Sequence, residues 1–304
     1  MLTEPLDIAV VTVTYNGGER ILDWARALQR AWNELPTEHQ GRLRMLAIDN
    51  ASPDNTVTDL RSRAPWVEVI PLPTNRGFAA GCNVGLRAAH GSKLFMLLNP
   101  DALVASHFFC VLAQRQWPSD LAALGPSVRT PAGGIEQSAR SFPRMSTGLW
   151  GRTTLLTRLL PQIATRRELR ADPKLGRHDV DWVSGACVVI SASALERVGM
   201  LDEGYFMYWE DADWCRRARD SGLTITFEPA LEVVHHQGSS SASRPKATTI
   251  AFHRSAYRYY RLHVARGGTA RTCAALILTM RCAVKLTILF LRSNKIRKPD
   301  NRSI

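Results

Sequence analysis

Three carboxylates stand within four residues in Tyr208-Trp209-Glu210-Asp211-Ala212-Asp213-Trp214. A carboxylate beside a reacting hydroxyl can take its proton, so Asp211, Glu210 and Asp213 are candidates for general-base work. Tyr205, Phe206, Tyr208 and Trp209 around them suit stacking on a sugar ring. The bland alternative is a solvated acidic first turn, which a helix dipole favours. A second group, Asn99-Pro100-Asp101, ends an apolar run. There Asp101 could hold Mg²⁺ or Mn²⁺ on a diphosphate, although Asn-Pro-Asp is also an ordinary turn. His235 and His236 follow another short strand and precede Gly238-Ser239-Ser240-Ser241. They read either as metal ligands or as structural histidines. In Asn75-Arg76-Gly77-Phe78-Ala79-Ala80-Gly81-Cys82-Asn83-Val84-Gly85, Gly77 marks a helix start, where free N–H groups favour a phosphate or an acidic group. Gly81 and Gly85 fall on one helical face and allow close backbone approach; tight helix–sheet packing alone would also account for them. No GxGxxG follows the first strand, which disfavours a dinucleotide oxidoreductase.

These groups need a frame, and strand and helix patterns alternate through the first half. Strands are expected over 7–14, 43–49, 66–72 and 93–98, and helices over about 19–34 and 78–89. Another helix should follow Ser52 as N-cap with Pro53 at its first position. The pattern implies a mostly parallel, Rossmann-like α/β sheet flanked by helices. Polar residues follow its strands at Thr14-Tyr15-Asn16, Asp49-Asn50, Asn75 and Asn99-Pro100-Asp101. Ligands of open α/β sheets bind beyond the carboxyl ends of the strands, so these four points predict one composite pocket. Residues 133–179 are irregular and basic, with Arg140, Arg144, Arg152, Arg158, Arg166, Arg167, Arg170, Lys174 and Arg177. Order returns at 180–190, then as helices at 193–198 and from Glu210, and as short strands at 223–228 and 231–234.

At 304 residues and 45% apolar composition, the chain can bury a core for one large domain and a smaller appendage. The net charge of +12 suits nucleic acid, anionic lipid or phosphate-bearing substrates alike. No nucleic-acid-binding module is recognisable, so nucleic acid is not expected as a partner. Six scattered cysteines without a CxxC pair suggest buried thiols in a reducing, cytoplasmic setting. The N-terminal residues lack a basic signal-peptide region. The run 273–291 is nearly transmembrane but is interrupted by Arg281 and Lys285, which share a narrow helical face with Arg292. A broad apolar face with a basic stripe predicts a helix lying in a membrane interface. Lys295, Arg297, Lys298 and Arg302 would add attraction to anionic lipid. The same helix could instead dock on the protein or pair two copies into a homodimer.

Taken in order, TYN at 14–16, DNAS at 49–52, NRGFAAGCNVG at 75–85, NPDA at 99–102, WVSGAC at 182–187, YFMYWEDADWCRR at 205–217 and HHQGSS at 235–240 resemble the inverting family 2 glycosyltransferases. The resemblance spans about 7–241 and implies the GT-A fold. A glycosyltransferase domain would occupy 1–241, with a nucleotide-sugar half at 1–125 and an acceptor half at 126–241. A basic, amphipathic helical extension would occupy 242–304. Through NPD, SAR at 138–140 and FMYWED, the chain is most similar to bacterial rhamnosyltransferases that act on polyprenyl-diphosphate-linked N-acetylglucosamine. The resemblance implies that Thr14, Tyr15, Asn16 and Asp49 hold the donor nucleoside. Asn75, Gly77, Asn83 and Asn99 would line the nucleotide-sugar, and Asp101 with His235 or His236 would bind the metal on its diphosphate. Asp211 would be the base, supported by Glu210 and Asp213, while Trp182, Gly185 and Trp209 border the acceptor. Asn99 stands where many relatives carry the first carboxylate of DxD. A dTDP-rhamnose donor, a lipid-linked acceptor and a place on the inner face of the plasma membrane follow as expectations. A UDP-sugar-dependent transferase and a silent nucleotide-sugar-binding or glycan-binding relative stay open.

Overall fold

The β-branched run near the start of the chain becomes strand β1 (Leu6–Thr14) of the computed structural model, which describes residues 5–144, 171–236 and 245–296. Every β1 residue except Asp7 is buried. Ile8 and Val10 face one apolar layer and Ala9, Val11 and Val13 the other, the alternation of a strand covered on both sides. Helix α1 (Gly18–Asn33) closes the first layer with Ile21, Trp24 and Leu28. Strand β2 (Gln40–Asp49), helix α2 (Thr56–Arg63), strand β3 (Glu68–Pro71), helix α3 (Phe78–Ala88) and strand β4 (Leu94–Leu98) follow. They complete a parallel block in the order β3-β2-β1-β4.

The second half continues the same sheet with mixed direction. It comprises strand β5 (Ala102–Val104), helix α4 (Phe108–Ala113), β6 (Leu121–Arg129), β7 (Ala139–Arg140), β8 (His178–Val180), β9 (Trp182–Val183), β10 (Cys187–Ser191), helices α5 (Ala192–Val198) and α6 (Glu210–Asp220), and strand β11 (Thr224–His235). β10 runs antiparallel between β4 and β6, and β11 pairs parallel with β6. β5 and β8 pair antiparallel with β11, while β7 and β9 form a separate two-stranded sheet. The parallel expectation therefore holds for the first block and gives way to mixed pairing beyond it.

Several local expectations change. α2 starts at Thr56, and Ser52 does not cap it; the Ser52 hydroxyl accepts the Asn16 N–H at 2.9 Å instead. The apolar run 180–190 contains the end of β8, then β9 and most of β10. The two short strands expected over 223–234 are one strand with a register shift between Glu228 and Glu232. β6 is hidden in the sequence because Gly125 and Pro126, both unusual inside strands, interrupt its apolar run. The arginines at 152, 158, 166, 167 and 170, the loop at 238–241 and the tail cations at 297, 298 and 302 lie outside the described residues, as do the side chains at 292 and 295.

The C-terminal extension is a hairpin of α7 (Pro245–Tyr259), a π-helical turn at Tyr260–Val264 and α8 (Gly268–Ile296). Ala256, Tyr259, Tyr260, Ala274 and Leu278 form a third apolar cluster with Tyr205 and Ala212. Arg258 grips Asp202 through Nε and Nη2 at 2.7–3.0 Å, and Ser255 Oγ donates to the Met207 carbonyl at 2.9 Å. On α8, Arg281 and Lys285 lie near enough to His253 of α7 for their charges to act on it. Arg281 is half-buried and Lys285 exposed, and Leu276, Met280, Val284, Ile288 and Leu291 are exposed as well. Residues Gly268–Leu291 are long and apolar enough to cross a membrane.

α3 lies close against β1. A Cβ at Gly81 would stand 2.8 Å from a Val13 methyl, and one at Gly85 would run into Val11. Gly85→Ala overpacks this layer and should cost about 1–3 kcal/mol. Urea unfolding would show a lower midpoint with an unchanged slope. A midpoint equal to or above wild type would mean that the helix has room to move away.

Candidate active site

Thr14 and Asp49 end neighbouring parallel strands and are register partners. Both are buried, and Thr14 Oγ1 and Asp49 Oδ1 have no hydrogen-bond partner among the described residues. A buried polar atom left unmatched is costly, so two side by side mark an edge suited to a polar ligand. The other Asp49 oxygen accepts the Ser52 N–H at 3.0 Å, which fixes the carboxylate. Gly17 has no side chain to cover Thr14; a Cβ there would crowd Oγ1. Asn16 and Ala51, on the flanking turns, both have positive φ (54° and 62°). Tyr15 is half-buried and Asn16 exposed on this rim.

The α3 entrance is held mostly by side chains. Asn50 accepts the Arg76 N–H at 2.9 Å and donates to the Gly77 carbonyl at 3.0 Å. Asn75 accepts the Gly77 N–H at 3.0 Å, and the Phe78 N–H is taken by the Phe206 carbonyl at 2.7 Å. Gly77 has φ 88°, and a Cβ would strike that same carbonyl. Its N–H and that of Phe78 are therefore occupied, contrary to an open phosphate-binding helix start. Asn83 also turns away from the rim: its amide donates to the Leu201 carbonyl and Glu203, and accepts the Leu201 N–H, at 2.9–3.1 Å. It is a buried tether between α3 and the loop before α6.

Beyond β4, Asp101 Oδ1 lies 3.1 Å from His235 Nε2, and Asn99 Nδ2 is 3.5 Å from the same nitrogen. The other ring nitrogen, Nδ1, is 3.3 Å from Glu136 Oε2. All three ionisable side chains are only 11–13% exposed. Burial alone would lower the His235 pKa, but Asp101 and Glu136 outweigh it and raise it. A carboxylate oxygen and an imidazole nitrogen converging on one point fit Mn²⁺ or Mg²⁺ that takes its remaining ligands from phosphate and water. Among the described residues no three His, Cys, Asp or Glu side chains form a self-sufficient metal cage. His236 is exposed and contributes its N–H to the Asp101 carbonyl at 2.8 Å. Glu136 escaped the sequence reading because it lies in an aperiodic stretch.

The acidic turn of α6 is not solvated. Asp211 is half-buried, with Oδ2 accepting the Gly185 N–H and Oδ1 the Ala212 N–H, both at 2.8 Å. Burial pushes its pKa up, while those two N–H groups and the charge of Arg140 oppose the rise. Glu210 is 5% exposed and turns into an apolar pocket lined by Phe78, Leu97, Val188, Ile190 and Leu201. Burial first, then the neighbouring Asp211 charge, holds its pKa well above the usual carboxylate range. Arg140 and Trp182 pair across β7 and β9, with the guanidinium 5.1 Å from the indole centroid, and form a wall beside Asp211. Trp209 packs into the hairpin, with ring centroids 5.2 Å from Tyr259 and 5.8 Å from Phe252, and Trp182 packs against the same cluster. Tyr208 and Trp209 both have positive φ (67° and 74°), an unusual pair that aims α6 inward.

The two groups meet at one dipeptide. Gly185 donates to Asp211, and the next carbonyl, of Ala186, accepts the Asn99 N–H at 3.0 Å. Asp213 anchors the other side of α6: it is 2% exposed, with Oδ1 against Tyr205 Oη at 3.2 Å and His263 Nε2 at 2.7 Å, and Oδ2 against Arg217 Nε at 2.9 Å. His263 belongs to the π-helical turn, so Asp213 ties α6 to the C-terminal hairpin and has no lone face toward the rim.

Residues 9–159 match the family model described as Glycosyl transferase family 2. The chain is 31% identical, over 82% of each chain, to an N-acetylglucosaminyl-diphospho-decaprenol L-rhamnosyltransferase of Mycobacterium tuberculosis. It is 30% identical, over 90% of its own length and 84% of the relative's, to the dTDP-rhamnosyl transferase RfbF of Shigella flexneri. Its fold resembles the mannosyltransferase PcManGT of Pyrobaculum calidifontis, solved with GDP-Man and Mn²⁺, with a TM-score of 0.53 at 14% identity. That likeness covers 98% of this chain and 77% of the other.

Asp213 supplies a prediction. Burial alone would raise its pKa, but His263 and Arg217 outweigh burial and hold it below the ordinary 3.8. A depressed native pKa gives stability that is complete above the unfolded value and lost as pH falls through the native one. Asp213→Ala should cost about 3 kcal/mol at neutral pH, since it leaves Arg217 without its buried partner. The gap from wild type should narrow below about pH 4. Equal stability at pH 7, measured by denaturant unfolding, would remove Asp213 as the anchor.

Proposed function

The chain belongs to glycosyl transferase family 2, with the GT-A fold, and we propose that it transfers L-rhamnose from dTDP-rhamnose, with inversion, to a polyprenyl-diphosphate-linked N-acetylglucosamine. It is a glycosyltransferase by family. The finer reading is supported by the names of two relatives, one acting on a decaprenol-diphosphate-linked sugar and one a dTDP-rhamnosyl transferase. The observation that carries it is the Gly185–Ala186 dipeptide, which holds the Asp211 carboxylate and the Asn99-Pro100-Asp101 turn together. Donor and base then sit on opposite sides of one narrow backbone support.

On the donor side, Thr14 and Asp49 take the nucleoside, with Asp49 Oδ1 accepting a ring N–H of the base. Asp101 and His235 would hold Mg²⁺ or Mn²⁺, and the ion would supply charge neutralisation for the nucleoside diphosphate leaving group. On the acceptor side, the sugar lies against Trp182 and Gly185. Asp211 takes the proton of the attacking hydroxyl; each of its oxygens keeps a lone pair beyond the backbone bond it accepts. Its raised pKa strengthens it as a base, and burial raises the pKa of Glu210 beside it as well. Glu210 and Asp213 act by placing Asp211. In this reading residues 1–125 bind the donor, 126–241 the acceptor, and 242–304 hold the enzyme to the inner face of the membrane.

Mass spectrometry of products from a panel of dTDP- and UDP-sugars, with Mg²⁺ or Mn²⁺ and a lipid-diphosphate N-acetylglucosamine analogue, tests this. Transfer from dTDP-rhamnose alone is expected. Transfer from a UDP-sugar instead would discard the rhamnose reading and keep the chemistry, whereas nucleotide binding without turnover on any donor would identify a silent relative. Asp211→Asn should lower turnover by about 10²–10⁴-fold or more while donor affinity is kept. Full activity in that variant would remove Asp211 as the base.

The exposed face of α8 is assigned to an anionic membrane because the acceptor is lipid-linked. Changing Leu276, Met280 and Leu291 to Gln should weaken co-sedimentation with anionic vesicles by about tenfold or more per residue. Unchanged binding would overturn the assignment. Loss of a dimer in the same variant would give the face to a second copy of the chain.

A further inference from the structure

The His235 ring stands between two carboxylates, and they are not equivalent. Asp101 Oδ1 approaches Nε2 at 3.1 Å, on the side where Asn99 also lies. Glu136 Oε2 approaches Nδ1 at 3.3 Å, on the other side of the ring. The ring separates the two acids, so Glu136 cannot share an ion with Asp101 and Nε2 without rearrangement. We infer that Glu136 is a positioning residue for the metal site: it accepts the Nδ1–H of His235, fixes the ring, and leaves the Nε2 lone pair directed at the ion held with Asp101.

The surroundings give Glu136 the means. Its backbone N–H donates to the Val128 carbonyl at 2.8 Å, and the bridge between Arg129 and Ile135 closes the turn after β6. The Glu136 side chain is 13% exposed, and its second oxygen is buried without a hydrogen-bond partner among the described residues. The opposite wall is equally fixed, because β5 and β11 pair with Ala102 opposite His235. A site with only two amino-acid ligands depends strongly on their orientation, and a carboxylate on the far nitrogen of a ligating histidine both orients the ring and raises its basicity. Loss of such a partner typically weakens metal binding by about 10–100-fold.

This inference rests on the reading of Asp101 and His235 as metal ligands, and the test separates the two. Mn²⁺ binding to the full chain would be followed by the electron paramagnetic resonance of free Mn²⁺, alone and with dTDP or UDP. Asp101→Ala and His235→Ala should each abolish or greatly weaken binding; wild-type affinity in both would remove the metal site and the inference together. With those two variants behaving as expected, Glu136→Ala should raise the Mn²⁺ dissociation constant by about 10–100-fold. Glu136→Gln, whose amide oxygen accepts the same hydrogen bond, should recover most of the loss. Unchanged affinity in a folded Glu136→Ala protein would overturn the role of Glu136 and leave the metal site standing. Glu136→Gln binding as poorly as Asp101→Ala would also overturn it, because that result marks a direct ligand. Should Glu136→Ala fail to fold, the Gln variant decides by itself, with a modest loss expected.

Discussion

Helix α3 lies on β1 with no side chain between them at Gly81 and Gly85, and much of the site inherits its geometry from that contact. The closeness brings the start of α3 under the Phe206 carbonyl, where again only a glycine fits, at Gly77. It also carries Asn83 to Leu201, 118 residues away in the chain, where one amide makes bonds in both directions. The loop before α6 is thereby stitched to the helix beside the Thr14–Asp49 edge. The spacing of this packed layer is set by the absence of methyl groups at two glycines.

The acidic turn shows how three like side chains acquire different chemistry from their surroundings. Glu210 faces an apolar pocket, and burial pushes its pKa up. Asp213 is just as deeply buried but meets His263 and Arg217, which keep it ionised. Asp211, between them, retains partial access and is held by two backbone N–H groups. Desolvation acts on all three; the partners decide which remains charged. The cost of this arrangement is visible at Tyr208 and Trp209, whose left-handed backbone is compensated by the aromatic packing of Trp209 on Tyr259 and Phe252.

What the sequence disclosed follows from locality. The β-branched run at 7–14, the glycine spacing in α3 and the polar residues after each strand are local patterns, and all mark real features of the sheet edge. The direction of β10 is not local: it depends on which neighbours it reaches, and nothing in CVVIS states that. β6 is masked by Gly125 and Pro126. Glu136 and His263 carry no motif, and their places come from a turn after β6 and from a π-helical turn far along the chain. The basic residues of α8 were legible in the sequence; that Arg281 and Lys285 come near His253 of α7 depends on how the hairpin docks.

The strand pair β5–β11 sets Ala102 opposite His235, and the N–H of His236 closes on the carbonyl of Asp101. Side chains in a strand alternate faces, so a slip of one residue would exchange His235 for His236 and carry the imidazole to the wrong side of the sheet. The two halves of this clasp are 134 residues apart. Insertions and deletions in that interval leave the clasp untouched as long as the ladder reforms. A single-residue deletion in β5, or in β11 beside His235, shifts that register. Chain length is thus critical at a few positions of the clasp and not across the long interval between them.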